Sequence, residues 1–243
     1  MEQEEVYTVI QHTETSEPYS IVLLDMDGMF FDFYACERRA FINTGWEHGF
    51  QLSEGEYEEY QIINQQVWKK LEQGLVTADE LKTVRFEEFF GRRDIHQLDF
   101  CHFAQRYQYW MSQGGDLYPG AEELWKRIRK KYRTCVLSNG TPWSQRSRLE
   151  LSGLLPYTDC VVTSEEVGTP KPSARMFEYA MKQMGEMEKS RYVMLGDSIS
   201  ADIKGAVGFG VDSIWYNRTG EPDPGISTFS ADTYEEIAEI LGV

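Results

Sequence analysis

The sequence predicts an α/β protein: an open parallel sheet, with an all-helical segment inserted after the first strand. Two observations carry this. Short apolar runs of strand character recur along the chain and alternate with helical stretches, which is the pattern of right-handed βαβ units. After the first such run, from about residue 33 to residue 115, apolar residues recur only at helical spacing and no strand-like run intervenes.

The first strand is Ile21–Leu24, and later ones are expected at 134–137, 160–162, 192–195 and 213–216. Each run is short and rich in Val, Ile, Leu or aromatics. Four of the five are followed directly by Asp, Ser, Gly or Asn and the run at 160–162 by Thr163 and Ser164, as suits strands buried on both faces. Helices are expected over 121–131, 143–152, 173–185 and 201–208. In the insert, Tyr60, Ile63, Val67 and Leu71 fall at helical spacing, and Thr77 with Glu80 makes a capping box for the middle helix. Gly114–Gly115 marks the return hinge. The chain therefore divides into a flexible tail (1–17), an α/β core (18–32 with 116–243) and a helical cap (33–115).

Composition excludes several classes. The 243 residues are 41% hydrophobic and 14% aromatic, enough to bury a core and too apolar for a disordered chain. No apolar run approaches the roughly 18 residues of a membrane span. The N-terminus is acidic and polar and shows no secretory pattern, so a cytoplasmic protein is expected. Acidic residues outnumber basic ones 40 to 24, for a formal charge of −16, which argues against nucleic-acid polymers as partners. A small anion remains compatible, because a local cation can override the global field. The four cysteines have no CxxC spacing and read as reduced thiols.

Chemistry gathers at the strand ends, where open parallel sheets bind ligands. Asp25-Met26-Asp27-Gly28 follows the first strand. Ser138-Asn139-Gly140 follows the second and offers a hydroxyl, an amide and a flexible backbone to an oxyanion. Lys171, between Pro170 and Pro172, is a point charge on a stiff segment. Gly196-Asp197-Ser198 follows the fourth strand, with Asp202 five residues past Asp197. Each signal alone also reads as a turn, a cap or a solvated lysine. Together they place several carboxylates at one sheet edge. Such a group calls for a hard cation with oxygen ligands, and Mg²⁺ best accompanies a phosphate.

DMDGMF at 25–30, SNG at 138–140, Lys171 and GDSISAD at 196–202 resemble the four motifs of the haloacid-dehalogenase superfamily of phosphohydrolases. The resemblance implies a Rossmann-like core and Mg²⁺-dependent phosphate-ester hydrolysis. It implies Asp25 as nucleophile and Asp27 as general acid and base. Ser138, Asn139 and Lys171 would bind phosphate. Asp25, Asp27 through its carbonyl, and Asp197 would bind the metal, with Asp202 in support. Met29 and Phe30 depart from the family pattern, which has threonine after the glycine. Because that threonine helps position the second aspartate, slower turnover or altered substrate choice is expected.

The insert, with SRLELSGL, SEEVGTPKP and GDSISADIKGAVGFGVDSIWYN, is similar to the noncanonical-pyrimidine 5′-nucleotidase group, whose substrates are nucleoside monophosphates. Tyr60, Asn64 and Trp68 lie at i, i+4 and i+8, so they could stack on a base and bond its edge. The same spacing suits aromatics that only pack the cap. Two other readings stay open: a sugar-phosphate phosphatase or phosphomutase, and a weakly active nucleotide-binding regulatory protein. A monomer or homodimer is expected. A dehalogenase is disfavoured by Asp27. The histidines lack HExxH spacing, and Gly205, Gly208 and Gly210 lack dinucleotide-binding spacing.

Overall fold

The structure is a computed structural model that describes residues 19–243. The tail expected over 1–17 lies outside the described residues. Six parallel strands form one sheet in the order β3-β2-β1-β4-β5-β6. They are β1 (Ile21–Leu24), β2 (Arg133–Ser138), β3 (Cys160–Thr163), β4 (Tyr192–Gly196), β5 (Asp212–Tyr216) and β6 (Phe229–Ala231). β1 is fully buried and central, with Leu24 opposite Val136 on one side and Leu195 on the other.

Alternation along the strands builds two apolar layers. Val22 and Leu24 face α5 (Ala121–Lys131) and α10 (Tyr234–Leu241), where Trp125, Ile128 and Ile237 are buried. Ile21 and Leu23 face α8 (Ala174–Met184) and α9 (Lys204–Phe209), where Met176, Phe177 and Phe209 are buried. The chain leaves β1 toward β2 on one side and later returns to β4 on the other. This reversal opens a crevice at the carboxyl edge beside β1.

Four helices follow β1: α1 (Phe33–Glu47), α2 (Glu54–Glu72), α3 (Ala78–Gly91) and α4 (Phe100–Ser112). They bury an aromatic core of their own, including Phe41, Tyr60, Phe86, Phe89 and Phe103. Ser53 with Glu56 and Thr77 with Glu80 close capping boxes on α2 and α3, which satisfy amides at both helix starts.

Two features differ from the sequence reading. The helix expected over 201–208 begins instead as a π-turn, Ile199–Ile203, before α9. β6 and α10 extend the core past the last strand expected. No helix among the described residues is long and apolar enough to cross a membrane.

Candidate active site

Three strand ends supply one cluster. Asp25 directly follows β1 and is 7% exposed. Lys171 is reached from β3 through α7 (Ser164–Val167), and its Nζ lies 2.5 Å from Asp25 Oδ1 and 2.7 Å from Asp202 Oδ1. Asp202 rides the π-turn after β4, and its Oδ2 accepts from the Ser198 amide at 3.1 Å. The carbonyl of Asp197 accepts from the Trp215 indole of β5 at 2.9 Å.

Asp25, Asp197 and Asp202 bring one carboxylate oxygen each to within 4.8 Å of one another. Gly28 makes this possible. It has φ +83°, and a Cβ there would stand 2.2 Å from Asp197 Oδ2. A side chain at 28 would therefore push Asp197 away from the β1 loop as well as strain the backbone. The donor set is all carboxylate oxygen, which fits Mg²⁺.

Crowding sets the charges. Burial pushes the Asp25 carboxyl well up, with Lys171 opposing and Asp202, Asp197 and Asp27 adding to the rise. Burial also raises Asp197, to about 7, with Asp202 adding and Lys171 opposing. Burial alone would lower Lys171, but Asp202 and Asp25 on either side raise it above its ordinary range. Lys171 is thus a fixed buried cation among carboxylates that repel one another.

Ser138 ends β2, and its Oγ accepts from the Gly140 amide at 3.0 Å and from Gln145 Nε2 at 2.7 Å. Asn139 uses both ends of its amide on the Lys171 backbone: Oδ1 accepts from the Lys171 N–H at 2.7 Å and Nδ2 donates to the carbonyl at 3.2 Å. Its side chain positions the lysine segment. The Asp27 carboxylate is not in the three-carboxylate group. It is bound from α6 (Pro142–Leu151), by Arg148 and Gln145, neither of which the sequence reading singled out. Their spacing just past the SNG motif was the available signal.

A cavity of about 280 Å³ lies between the helical segment and this edge. Phe33 and Tyr34 of α1, Gln61, Gln65 and Trp68 of α2, and Ser200 of the π-turn line it. Trp68 therefore stands where a substrate's far end could reach. Tyr60 does not, which corrects the expectation for that residue. Its ring is fully buried, stacked between Phe41 at 4.3 Å and Phe86 at 5.5 Å. Asn64 borders the cavity, but its Nδ2 donates to Glu37 at 2.7 Å and its Oδ1 accepts from Arg85 at 3.3 Å.

Residues 19–210 match the family model of the haloacid dehalogenase-like hydrolases. The pyrimidine 5′-nucleotidase PynA of Streptococcus pneumoniae is 34% identical over 82% of this chain and 84% of its own. The pyrimidine 5′-nucleotidase YjjG of Escherichia coli is 29% identical over 87% of this chain and 92% of its own. The magnesium-bound crystal structure of the HAD-hydrolase YfnB from Bacillus subtilis, which reveals interdomain movement, matches with a TM-score of 0.85 at 28% identity. It covers 93% of this chain and 100% of that one.

Proposed function

The chain belongs to the haloacid dehalogenase-like hydrolases and is a phosphoric monoester hydrolase; from that premise we propose that it is a Mg²⁺-dependent 5′-nucleotidase for pyrimidine nucleoside monophosphates. One observation carries the reading. The buried Asp25–Lys171–Asp202 cluster and a cavity framed by Trp68, Tyr34, Gln61 and Gln65 are linked by one π-turn, which carries Asp202 and lends Ser200 to the cavity wall. The first part suits a phosphoryl group. The second suits a flat ring with polar edges. The names of the two nucleotidase relatives support the same substrate class.

In this reading an Asp25 oxygen attacks phosphorus while the bond from phosphorus to the nucleoside 5′-oxygen breaks. Asp27 gives its proton to that leaving oxygen, releasing the nucleoside and leaving an aspartyl-phosphate. Asp27, now a carboxylate, takes a proton from water as the water oxygen attacks phosphorus. The bond from phosphorus to Asp25 then breaks, which yields inorganic phosphate and restores the carboxylate. A carboxylate nucleophile divides one hard displacement into two easier ones. Lys171 and Ser138 hold the phosphoryl oxygens, and Asn139 holds Lys171. Mg²⁺, held by Asp25, Asp197 and the Asp27 carbonyl with Asp202 in support, would neutralise the phosphoryl charge.

The test is a release assay for inorganic phosphate over nucleoside monophosphates, sugar phosphates and an aryl phosphate, with and without Mg²⁺. Pyrimidine nucleotides should be preferred, and chelator should abolish turnover. Asp25→Asn should lower kcat by about three orders of magnitude or more. Preference for sugar phosphates would overturn the substrate class, and a fully active Asp25→Asn would overturn the nucleophile.

A further inference from the structure

We propose that Arg148 and Gln145 are positioning residues that hold the Asp27 carboxylate in line with the leaving oxygen. Both stand on α6, three residues apart and so on one face. Arg148 Nη1 lies 2.6 Å from Asp27 Oδ1, and Gln145 Nε2 donates to Asp27 Oδ2 at 3.0 Å. Both oxygens of the carboxylate are therefore gripped by one helix. The Arg148 side chain is 1% exposed while that of Asp27 is 26% exposed, so the support is buried and the supported group opens on the crevice.

The grip is itself braced. Arg148 Nη1 donates to Gln145 Oε1 at 3.1 Å, and its Nε donates to the Gly114 carbonyl at 2.8 Å. Its guanidinium lies 4.9 Å from the centre of the Phe31 ring. Gln145 Nε2 also reaches Ser138 Oγ at 2.7 Å, which links the grip to the phosphate side of the site. A Cβ at Gly140 would stand 2.3 Å from Gln145 Nε2, so a side chain there would displace the amide that holds Asp27. The planar guanidinium meets Asp27, Gln145 and the Gly114 carbonyl at once, which an ammonium cannot reproduce. An ion pair this buried contributes little net stability against burying apolar groups, so its use lies in fixing orientation. Through Gly114 the same arginine ties the acid/base to the segment where the chain returns from the four helices.

The proposal rests on Asp27 being the general acid. The test compares kcat/KM on two esters, because that ratio reports only the steps through departure of the alcohol. An alkyl phosphate, such as a nucleoside or sugar phosphate, needs a proton on its leaving oxygen, whereas p-nitrophenyl phosphate releases a stable anion without one. Arg148→Met should lower kcat/KM about 100-fold on the alkyl ester and about 3-fold or less on the aryl ester, matching the split of Asp27→Asn. Arg148→Lys, which keeps the charge without the fork, should show a smaller split in the same direction. Gln145→Leu, which removes one bond and no charge, should do so too. These two variants carry the test if Arg148→Met does not fold. Equal losses on both esters, with Asp27→Asn showing the split, would overturn the positioning role and leave the acid assignment standing. Absence of the split in Asp27→Asn would overturn the acid assignment itself, and the proposal with it.

Discussion

Asp25 and Asp27 are separated by a single residue, yet their surroundings differ in kind. Asp25 is sunk against Lys171, and Asp27 is gripped at the mouth of the crevice by a guanidinium and an amide. Two carboxyls in contrasting environments are what a nucleophile and a proton carrier require of one short loop. Met29 bears on the same loop. The sequence reading sets it beside Asp27, where the family threonine helps position that carboxyl. In the structure its side chain is fully buried in the apolar layer that holds Leu24, Phe30 and Trp125. Its carbonyl accepts from the Tyr234 hydroxyl at 2.6 Å, a bond that any residue at 29 could keep. Methionine at this position thus serves packing, and α6 grips Asp27 from another direction. Met29→Thr should therefore destabilise the fold by about 2 kcal/mol or more, through lost volume and a buried hydroxyl. Its kcat should stay near that of wild type at a temperature where both are folded. Thermal melting with steady-state assays checks this, and a clear rise in kcat would show that threonine takes over the work of α6.

The second helix shows what periodicity can and cannot say. Residues four apart on an α-helix are offset by about 40°, so i to i+8 turns through about 80°. That drift puts Tyr60 in the aromatic core, Asn64 at the boundary and Trp68 on the cavity. Trp68→Ala should raise KM for a nucleoside monophosphate several-fold while leaving an aryl phosphate nearly unchanged; equal effects on both would reduce Trp68 to packing. At the boundary, Glu37 accepts from Asn64 at 2.7 Å and Tyr57 at 3.2 Å inside the helical segment. Burial lifts its carboxyl from 4.5 to about 7, against the pull of Arg85. The unfolded chain releases this proton first, so stability from Glu37 is full below about 4.5 and is lost as pH rises through about 7. Glu37→Gln removes the titration. Melting curves from pH 4.5 to 8 should show the variant gaining on wild type as pH rises, by about 3 kcal/mol at the upper end. A constant difference across that range would mean the carboxyl does not titrate there. Elements with strong local signals were legible in the sequence: buried strands, capping boxes and the Asp, Ser and Lys groups that follow strands. β6 was not, because it has three residues and only Ala231 is buried. α10 could have been read, since Tyr234, Ile237, Ala238 and Leu241 recur behind a Thr233 cap. Arg148 was illegible for another reason: its partners Asp27 and Gly114 are 121 and 34 positions away, and only the packing of α6 brings them together.

Across the whole molecule the charge of −16 is spread over a surface whose ion pairs, such as Arg38 with Glu54, are solvent-exposed and contribute little. The electrostatic strain is concentrated where Asp25 and Asp202 pair with one lysine and Asp197 stands beside them. Without a cation this arrangement opposes folding above about pH 7, because Asp197 must then ionise beside two other carboxylates. A cation bound only by the folded state stabilises it by mass action. Two opposite consequences follow for a single substitution. In chelator at pH 8, Asp197→Asn removes a repelled charge and should melt higher than wild type by about 2–4 °C, the shift expected for roughly 1 kcal/mol in a chain of this size. With millimolar Mg²⁺, wild type should gain melting temperature beyond what NaCl of equal ionic strength gives, while the variant should respond alike to both salts. Function and stability would then be opposed at one residue, as is common where a site needs charge that the fold does not. A variant that melts lower than wild type in chelator would show that Asp197 is held by favourable contacts. An equal Mg²⁺ increment in both proteins would place the ion elsewhere.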